Sequence, residues 1–452
     1  MQPSIEQPSK GSAPVLAHPE PVEWADRVFV EFRRLFPSRP MVQAFALELR
    51  HAPDLGRLRQ RMEQITREAS RLRCAVDTSA RAPRWIERDF TVDAHVFEVV
   101  DRAVRGMDDL LRPQAPREGG HLDWNRPPWA LEVIRNHEDP SVATFHAIRV
   151  CWDHTLTDME GMYLILIRLG NSTDLAPLAP SGPRIEKRWS RLRRLRRWLA
   201  RCSASALHAT AGSREVTWTH VPLGATVSVV GAMATRRGVE VRDVLIALSA
   251  KTYHSYRQSV GESPIRFAIL SPSYSTRFLD GRFHVGNQHR LATWVMVPTG
   301  CADLDAYIDS IGTQVGDAQP TSYRGYRALG QLPDKSARRV ISRMMAPVIV
   351  NWDAPRLAER LLDIAGAEVG GVSVATPLLP HQQCSFIWWV RDATLHCSLS
   401  TDAALIAEPE TLAACLRQTM DSLSAMVRSS PDAVAEPVIM RHGGDSMARS
   451  QH

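Results

Sequence analysis

The sequence predicts an α/β protein of two similar lobes, and three observations carry that prediction. Its 452 residues, 44% hydrophobic and 23% charged, suffice for about two domain cores. Each half mixes apolar runs of period two, the strand signature, with runs recurring every three or four residues, the helix signature. Between the halves lies a small-residue loop at 204–213, the best linker in the chain. The expected organisation is a tail (1–20), a first lobe (21–180), a basic amphipathic helix and linker (181–213), a second lobe (214–440) and a tail (441–452). No short-period repeat interrupts it.

In chain order, a helical pattern over 21–36 stops at Pro37 and Pro40, and 42–49 reads as a strand. A long helix follows over 55–72, then strand-like pieces within 85–99. Strands over 133–135 and 143–150 flank the polar turn 137–140, and 160–169 is helical. The second half repeats this texture. Strand 215–222, helices 226–237 and 242–256, strands 265–271 and 290–297, and helix 304–315 precede a helix over 336–344. The apolar run 348–351, strands 385–390 and 394–400, and a last helix over 409–426 complete it.

Composition excludes several classes. The first 20 residues lack the cationic start and apolar core of a secretory signal, and no apolar run approaches the roughly 20 residues of a membrane span. Seven cysteines, an odd number with no C-x-x-C pair, suit reduced thiols in a cytoplasmic protein rather than a disulfide framework or a metal site. Cys151 follows the apolar alternation of a strand and is expected to be structural.

The net charge of +6 is concentrated between Arg184 and Arg201, where nine Arg or Lys face one Glu. Trp189, Leu192, Leu195, Trp198 and Leu199 recur there at helical spacing, giving a basic amphipathic helix. It is either a surface helix packed on its own lobe or a contact for a membrane surface or an anionic protein partner. No nucleic-acid-binding motif accompanies it, so nucleic acid is not expected.

Chemistry concentrates in the stretch 145–161, FHAIRVCWDHTLTDMEG, where an apolar strand runs into a polar turn before a helix. His154 stands at the strand exit and Asp158 four residues on. A neutral imidazole there can accept a hydroxyl or amine proton. A structural histidine followed by a helix-capping aspartate is the bland alternative.

This stretch resembles the His-His-x-x-x-Asp-Gly motif of the superfamily that includes chloramphenicol acetyltransferase, nonribosomal peptide condensation domains and bacterial wax ester synthase/diacylglycerol acyltransferases. His154 and Asp158 match its second His and its Asp, while Asp153 stands at the first His and Met159 at the Gly. Further blocks fall in the wax-synthase order: Asp26 to Phe29 with Arg39-Pro-Met41, Arg71-Leu-Arg73, Pro83-Arg-Trp85, Leu122-Asp123 to Trp129, Val241 to Leu245 with Arg242 at the family's Asn, Pro272 to Arg277, Gly286-Asn287 and Asn351 to Pro355.

The resemblance implies two chloramphenicol-acetyltransferase-like lobes with an interlobe tunnel and His154 at its middle. It implies an acyltransferase that forms an ester, or an amide, by direct attack of a hydroxyl or amine on an acyl thioester, in lipid or specialised-metabolite biosynthesis. No cofactor or metal is expected, the thioester of acyl-CoA or of an acyl carrier protein's phosphopantetheine being a substrate. Asp158 is expected to pair with Arg73 and hold the loop. Asp153, Ser275, Asn287 and Trp129 are possible tunnel-lining residues, with core packing the other reading for Trp129 and Trp85. Asp153 beside His154 would orient the ring, raise its pKa, or be a tolerated loop change, and an ionisation near or above about 6.5 is expected if it stays charged. A catalytically impaired binding or scaffold protein on the same fold is the alternative.

Overall fold

The computed structural model describes residues 19–22, 24–35, 41–79, 83–101, 104, 106–111, 122–137, 145–170, 216–274, 278–279, 282–283, 285–287, 289–299, 301, 303–317, 349–353, 361–378 and 382–429. The basic segment 184–201, the helix expected over 336–344 and Ser275 lie outside them.

In the first half, β1 (Glu20–Pro21) precedes α1 (Trp24–Leu35), β2 (Val42–Leu49) and α2 (Leu55–Glu68). Asp54 caps α2 by accepting from Arg57 N at 2.9 Å. After a short 3₁₀ turn, Ser70–Arg73, come β3 (Cys74–Asp77), β4 (Arg84–Glu87), β5 (Val96–Val100) and α3 (Met107–Leu111), then β6 (Trp129–Arg135), β7 (His146–Asp153) and α4 (Met159–Leu169).

The second half begins with β8 (Val216–Thr226), α5 (Val227–Arg237) and α6 (Val241–Ser259), the last started by a reciprocal cap between Glu240 and Asp243. There follow β9 (Phe267–Tyr274), the hairpin β10 (Phe278–Leu279) and β11 (Arg282–Phe283), β12 (His289–Val297) and α7 (Leu304–Asp317). Strands β13 (Ile349–Asp353), β14 (Asp363–Ile364), β15 (Ala367–Ala375), β16 (Cys384–Arg391) and β17 (Thr394–Asp402) lead to α8 (Pro409–Arg428).

Two six-stranded sheets organise these elements, in the orders β14-β15-β2-β7-β6-β5 and β12-β9-β13-β16-β17-β8. Each has its own core. Phe45, Leu47, Val150 and Trp152 anchor the first, and Phe267, Phe386, Trp388 and Leu416 the second. The lobes are not successive in sequence. β15 pairs antiparallel with β2, for instance Val374 with Phe45, so residues 363–375 complete the sheet of the first lobe. A second lobe running unbroken over 214–440 is therefore corrected. Ile387 and Trp389 of β16 pack into the first core, and Ser373 of β15 hydrogen-bonds Ser398 of β17 at 3.0 Å. Among the described residues no helix is long and apolar enough to cross a membrane.

Candidate active site

The turn after β7 carries the site. His154 N–H donates to Met41 O at 2.7 Å, extending the β2–β7 ladder by one step, and Asp153 N donates to Pro128 O at 2.9 Å. The chain then folds back: Thr155 N bonds Asp153 Oδ1 at 2.8 Å, and Trp152 Nε1 bonds Thr157 O at 3.0 Å. Asp158 is the N-cap of α4, its Oδ1 accepting from Gly161 N at 3.0 Å. Thus the sequence Asp-His-Thr-Leu-Thr-Asp turns a strand into a helix and leaves His154 at the junction.

Elements from both halves lock this turn. Asn287, just before β12, donates from Nδ2 to His154 O at 2.7 Å and to Asp26 Oδ1 at 2.9 Å, while its backbone N–H also reaches Asp26 Oδ1. Asp26, on α1 and fully buried, accepts from Arg71 Nη1 at 2.7 Å through its other oxygen. The hydroxyl of Thr157 donates to Gly286 O at 3.2 Å. Gly286 sits at φ +142, and a β-carbon there would run into the Arg71 guanidinium, so only glycine lets the two halves approach this closely.

His154 is 5% exposed, and the Phe29 ring of α1 stacks on its imidazole at 3.6 Å and 15°. Burial pulls its pKa down to about 4, against smaller opposing effects of its own backbone and the Asn287 side chain. His154 is therefore neutral at pH 7. Next along α4, burial pushes Glu160 up to about 8.

Asp153 does not act on His154 as expected. Its Oδ2 takes a 3.0 Å ion pair from Arg33 and a 3.1 Å hydrogen bond from Trp124 Nε1, and Arg33 itself lies over the Trp124 ring. With its charge met by Arg33 and the ring buried, the expected rise of the His154 ionisation to or above 6.5 is corrected to a fall. Trp129 is a core residue rather than a tunnel wall: its indole N–H bonds Leu72 O at 2.8 Å and its ring stacks on His95. Trp85 is likewise buried, under the Arg71 guanidinium. Arg73 bonds Glu87 at 2.7 Å and the Thr66 carbonyl.

Of the residues named from sequence, the structure brings His154, Asp158 and Asn287 into one loop system. It adds Asp26, Phe29, Arg33 and Arg71. The signal for three of them was present, because Asp26, Phe29, Val30 and Arg33 fall at i, i+3, i+4 and i+7 on one face of α1. Charges on the face that carries Phe29 and Val30 mark a helix packed against a polar site. Cys151 is structural, burial pushing its thiol up to about 12. The six described cysteines are free, and no group of His, Cys, Asp or Glu among the described residues could hold a metal ion.

No family model matches this chain, and no curated protein matches it in sequence. Solved structures do. The first condensation domain of the calcium-dependent antibiotic synthetase, in complex with a substrate analogue, superposes with a TM-score of 0.62 at 13% identity, over 90% of this chain and 97% of that one. The wax ester synthase/diacylglycerol acyltransferase from Marinobacter aquaeolei VT8 gives 0.58 at 14% identity, over 90% and 99%. A variant of the starter condensation domain of rhizomide synthetase RzmA, in complex with C8-CoA and Leu-SNAC, gives 0.56 at 15%, over 90% and 94%. The chain shares its fold with these condensation domains and this wax ester synthase, as the degenerate motif suggested.

Proposed function

We propose that this protein is an acyltransferase or condensation enzyme that joins an acyl thioester to a hydroxyl or amine, with His154 as the base. The observation that carries this reading is the placement of a buried, neutral imidazole at a strand exit, its backbone held by Met41 from the first lobe and Asn287 from the second. Nε2 or Nδ1 takes the proton as the acceptor's oxygen or nitrogen attacks the thioester carbonyl. The tetrahedral intermediate expels the thiolate, which receives that proton, so the imidazole returns neutral and no acyl-enzyme forms. The donor is acyl-CoA or a carrier-bound phosphopantetheine thioester. An acidic carrier or an anionic membrane would dock through residues 184–201, in a cytoplasmic setting.

The second reading is a binding or scaffold protein on the same fold. It is favoured by the Phe29 ring lying flat on His154 and by the low basicity that burial imposes. Mass spectrometry of acyl transfer separates the two. Acyl-CoA and carrier-bound thioesters are offered with a panel of alcohols and amines. Product formed by the parent and lost in His154→Ala supports the enzyme, whereas thioester binding without product in either leaves the scaffold.

A further inference from the structure

Gln43 lies in β2 directly across from Trp152, the residue two before His154. Opposed residues of an antiparallel pair share a face, and diagonal neighbours such as Gln43 and His154 stand about 7–8 Å apart, within reach of long side chains. Two residues before Gln43, Met41 O takes the His154 N–H, so the Gln43 side chain and His154 belong to the same end of the same sheet. Its other neighbours along that face, Phe45 and Leu47, are core residues. A glutamine in this row is out of pattern.

The side chain is 1% exposed, and neither Oε1 nor Nε2 has a hydrogen-bond partner. A buried carboxamide left bare at both ends is costly, and native proteins seldom keep one without use. It is not alone. Thr155 Oγ1 and Asn287 Oδ1 are also buried without a hydrogen bond, and both residues belong to the loop system around His154. Unmet polar atoms thus occur on three residues tied to His154 by strand pairing, by sequence and by a backbone hydrogen bond, from β2, the turn and the second lobe.

We infer that Gln43 is a substrate-recognition residue, whose carboxamide hydrogen-bonds an amide group of the substrate. Its C=O accepts and its N–H donates, and the N–H and C=O of an amide group supply the complementary donor and acceptor, which a hydrocarbon in the same place does not. The inference rests on the acyl-transfer reading. That amide lies either in the arm of the thioester donor or in the acceptor. The chemistry is the same, and the consequence is selectivity: substrates lacking the amide leave the buried Gln43 bare and are rejected.

The test is isothermal titration of the full chain with two matched pairs of probes. The donor pair is the octanoyl thioester of N-acetylcysteamine and that of pentanethiol, which lacks the amide. The acceptor pair is leucinamide and isopentylamine. The parent should favour the amide-bearing member of one pair by about tenfold or more. Gln43→Leu should bind both members of that pair alike, through loss on the amide-bearing one. Which pair responds identifies the donor arm or the acceptor. The variant should melt at or above the parent temperature, since it removes two unmet polar atoms, and Gln43→Met serves if the branched side chain does not fit. A preference that survives in both variants, or its absence from both pairs in the parent, overturns the inference. Acyl transfer is followed in the same samples: no product with an intact amide preference would sink the acyltransferase reading and leave Gln43 as a ligand-binding residue.

Discussion

Asn287 Nδ2 donates to the backbone carbonyl of His154 at 2.7 Å, across 133 residues of sequence, and Asp26 closes the arrangement by accepting from both nitrogens of Asn287. The candidate base is therefore positioned from the other half of the chain. Asn287→Ala removes donors that serve His154 and the buried Asp26 carboxylate at once, and should cost about 1–3 kcal/mol. Asn287→Asp should cost more, because it sets a second carboxylate against Asp26. Urea unfolding of the two variants checks the order. If Asn287→Asp is the more stable, Asp26 is not the charged anchor described.

His154→Ala should fold, although it loses the ring contact with Phe29, and should reduce turnover by about a hundredfold or more. The pH dependence discriminates further. An imidazole with a pKa of about 4 is already neutral at pH 6, so the parent rate governed by His154 should be level from there to pH 8 and fall on acidification toward 4. A rate that rises through a step near or above 6.5 would show instead that Asp153 acts on the ring despite its ion pair with Arg33.

Stability should respond to pH through the same groups, with opposite signs. The folded pKa of His154, about 4, lies below its ordinary 6.5, so between these values only the unfolded chain takes the proton. Its contribution is full above 6.5 and falls as pH drops through that window, by about 3 kcal/mol in the limit. Glu160 is raised from 4.5 to about 8, so there the folded chain holds the proton longer. Its contribution is full below 4.5 and is lost as pH rises toward 8. Denaturant melts at pH 5, 6.5 and 8 should therefore show Glu160→Gln gaining on the parent with rising pH. His154→Gln should gain with falling pH. A pH-independent difference in either case would mean that the group is not buried as described.

The sequence was most legible where side-chain periodicity reports burial. The strand expected over 42–49 is β2, and the helix expected over 160–169 is α4 within a residue. β15 was missed. Its sequence AEVGGVSVA is broken by Gly370 and Gly371, where the register against β2 shifts, so the alternation that announces a strand is interrupted by a bulge. Around the site, His154 stood out because local sequence places it at a strand end. The Asp26–Arg71 pair did not, since it joins two segments through tertiary packing alone, and Arg71 was overlooked in favour of Arg73 two residues away. Nor could the imidazole's pKa be read, because the stacking of Phe29 that buries it depends on how α1 docks.

The role of Asp158 gives the last prediction. As the N-cap of α4 it accounts for a loss of about 0.5–2 kcal/mol in Asp158→Ala, and an asparagine in its place retains the cap. The pairing with Arg73 expected from the family resemblance adds a charge requirement that asparagine does not meet. If that pairing holds, Asp158→Asn should itself be destabilising, because the largely buried Arg73 guanidinium keeps Glu87 but loses a second carboxylate. Arg73→Met should recover part of the loss when combined with it. The two side chains should then show a coupling above about 1 kcal/mol in a double-mutant cycle followed by thermal and urea unfolding. Additive losses, with Asp158→Asn close to the parent, would make Asp158 a helix cap and leave Arg73 to its contacts with Glu87 and Thr66.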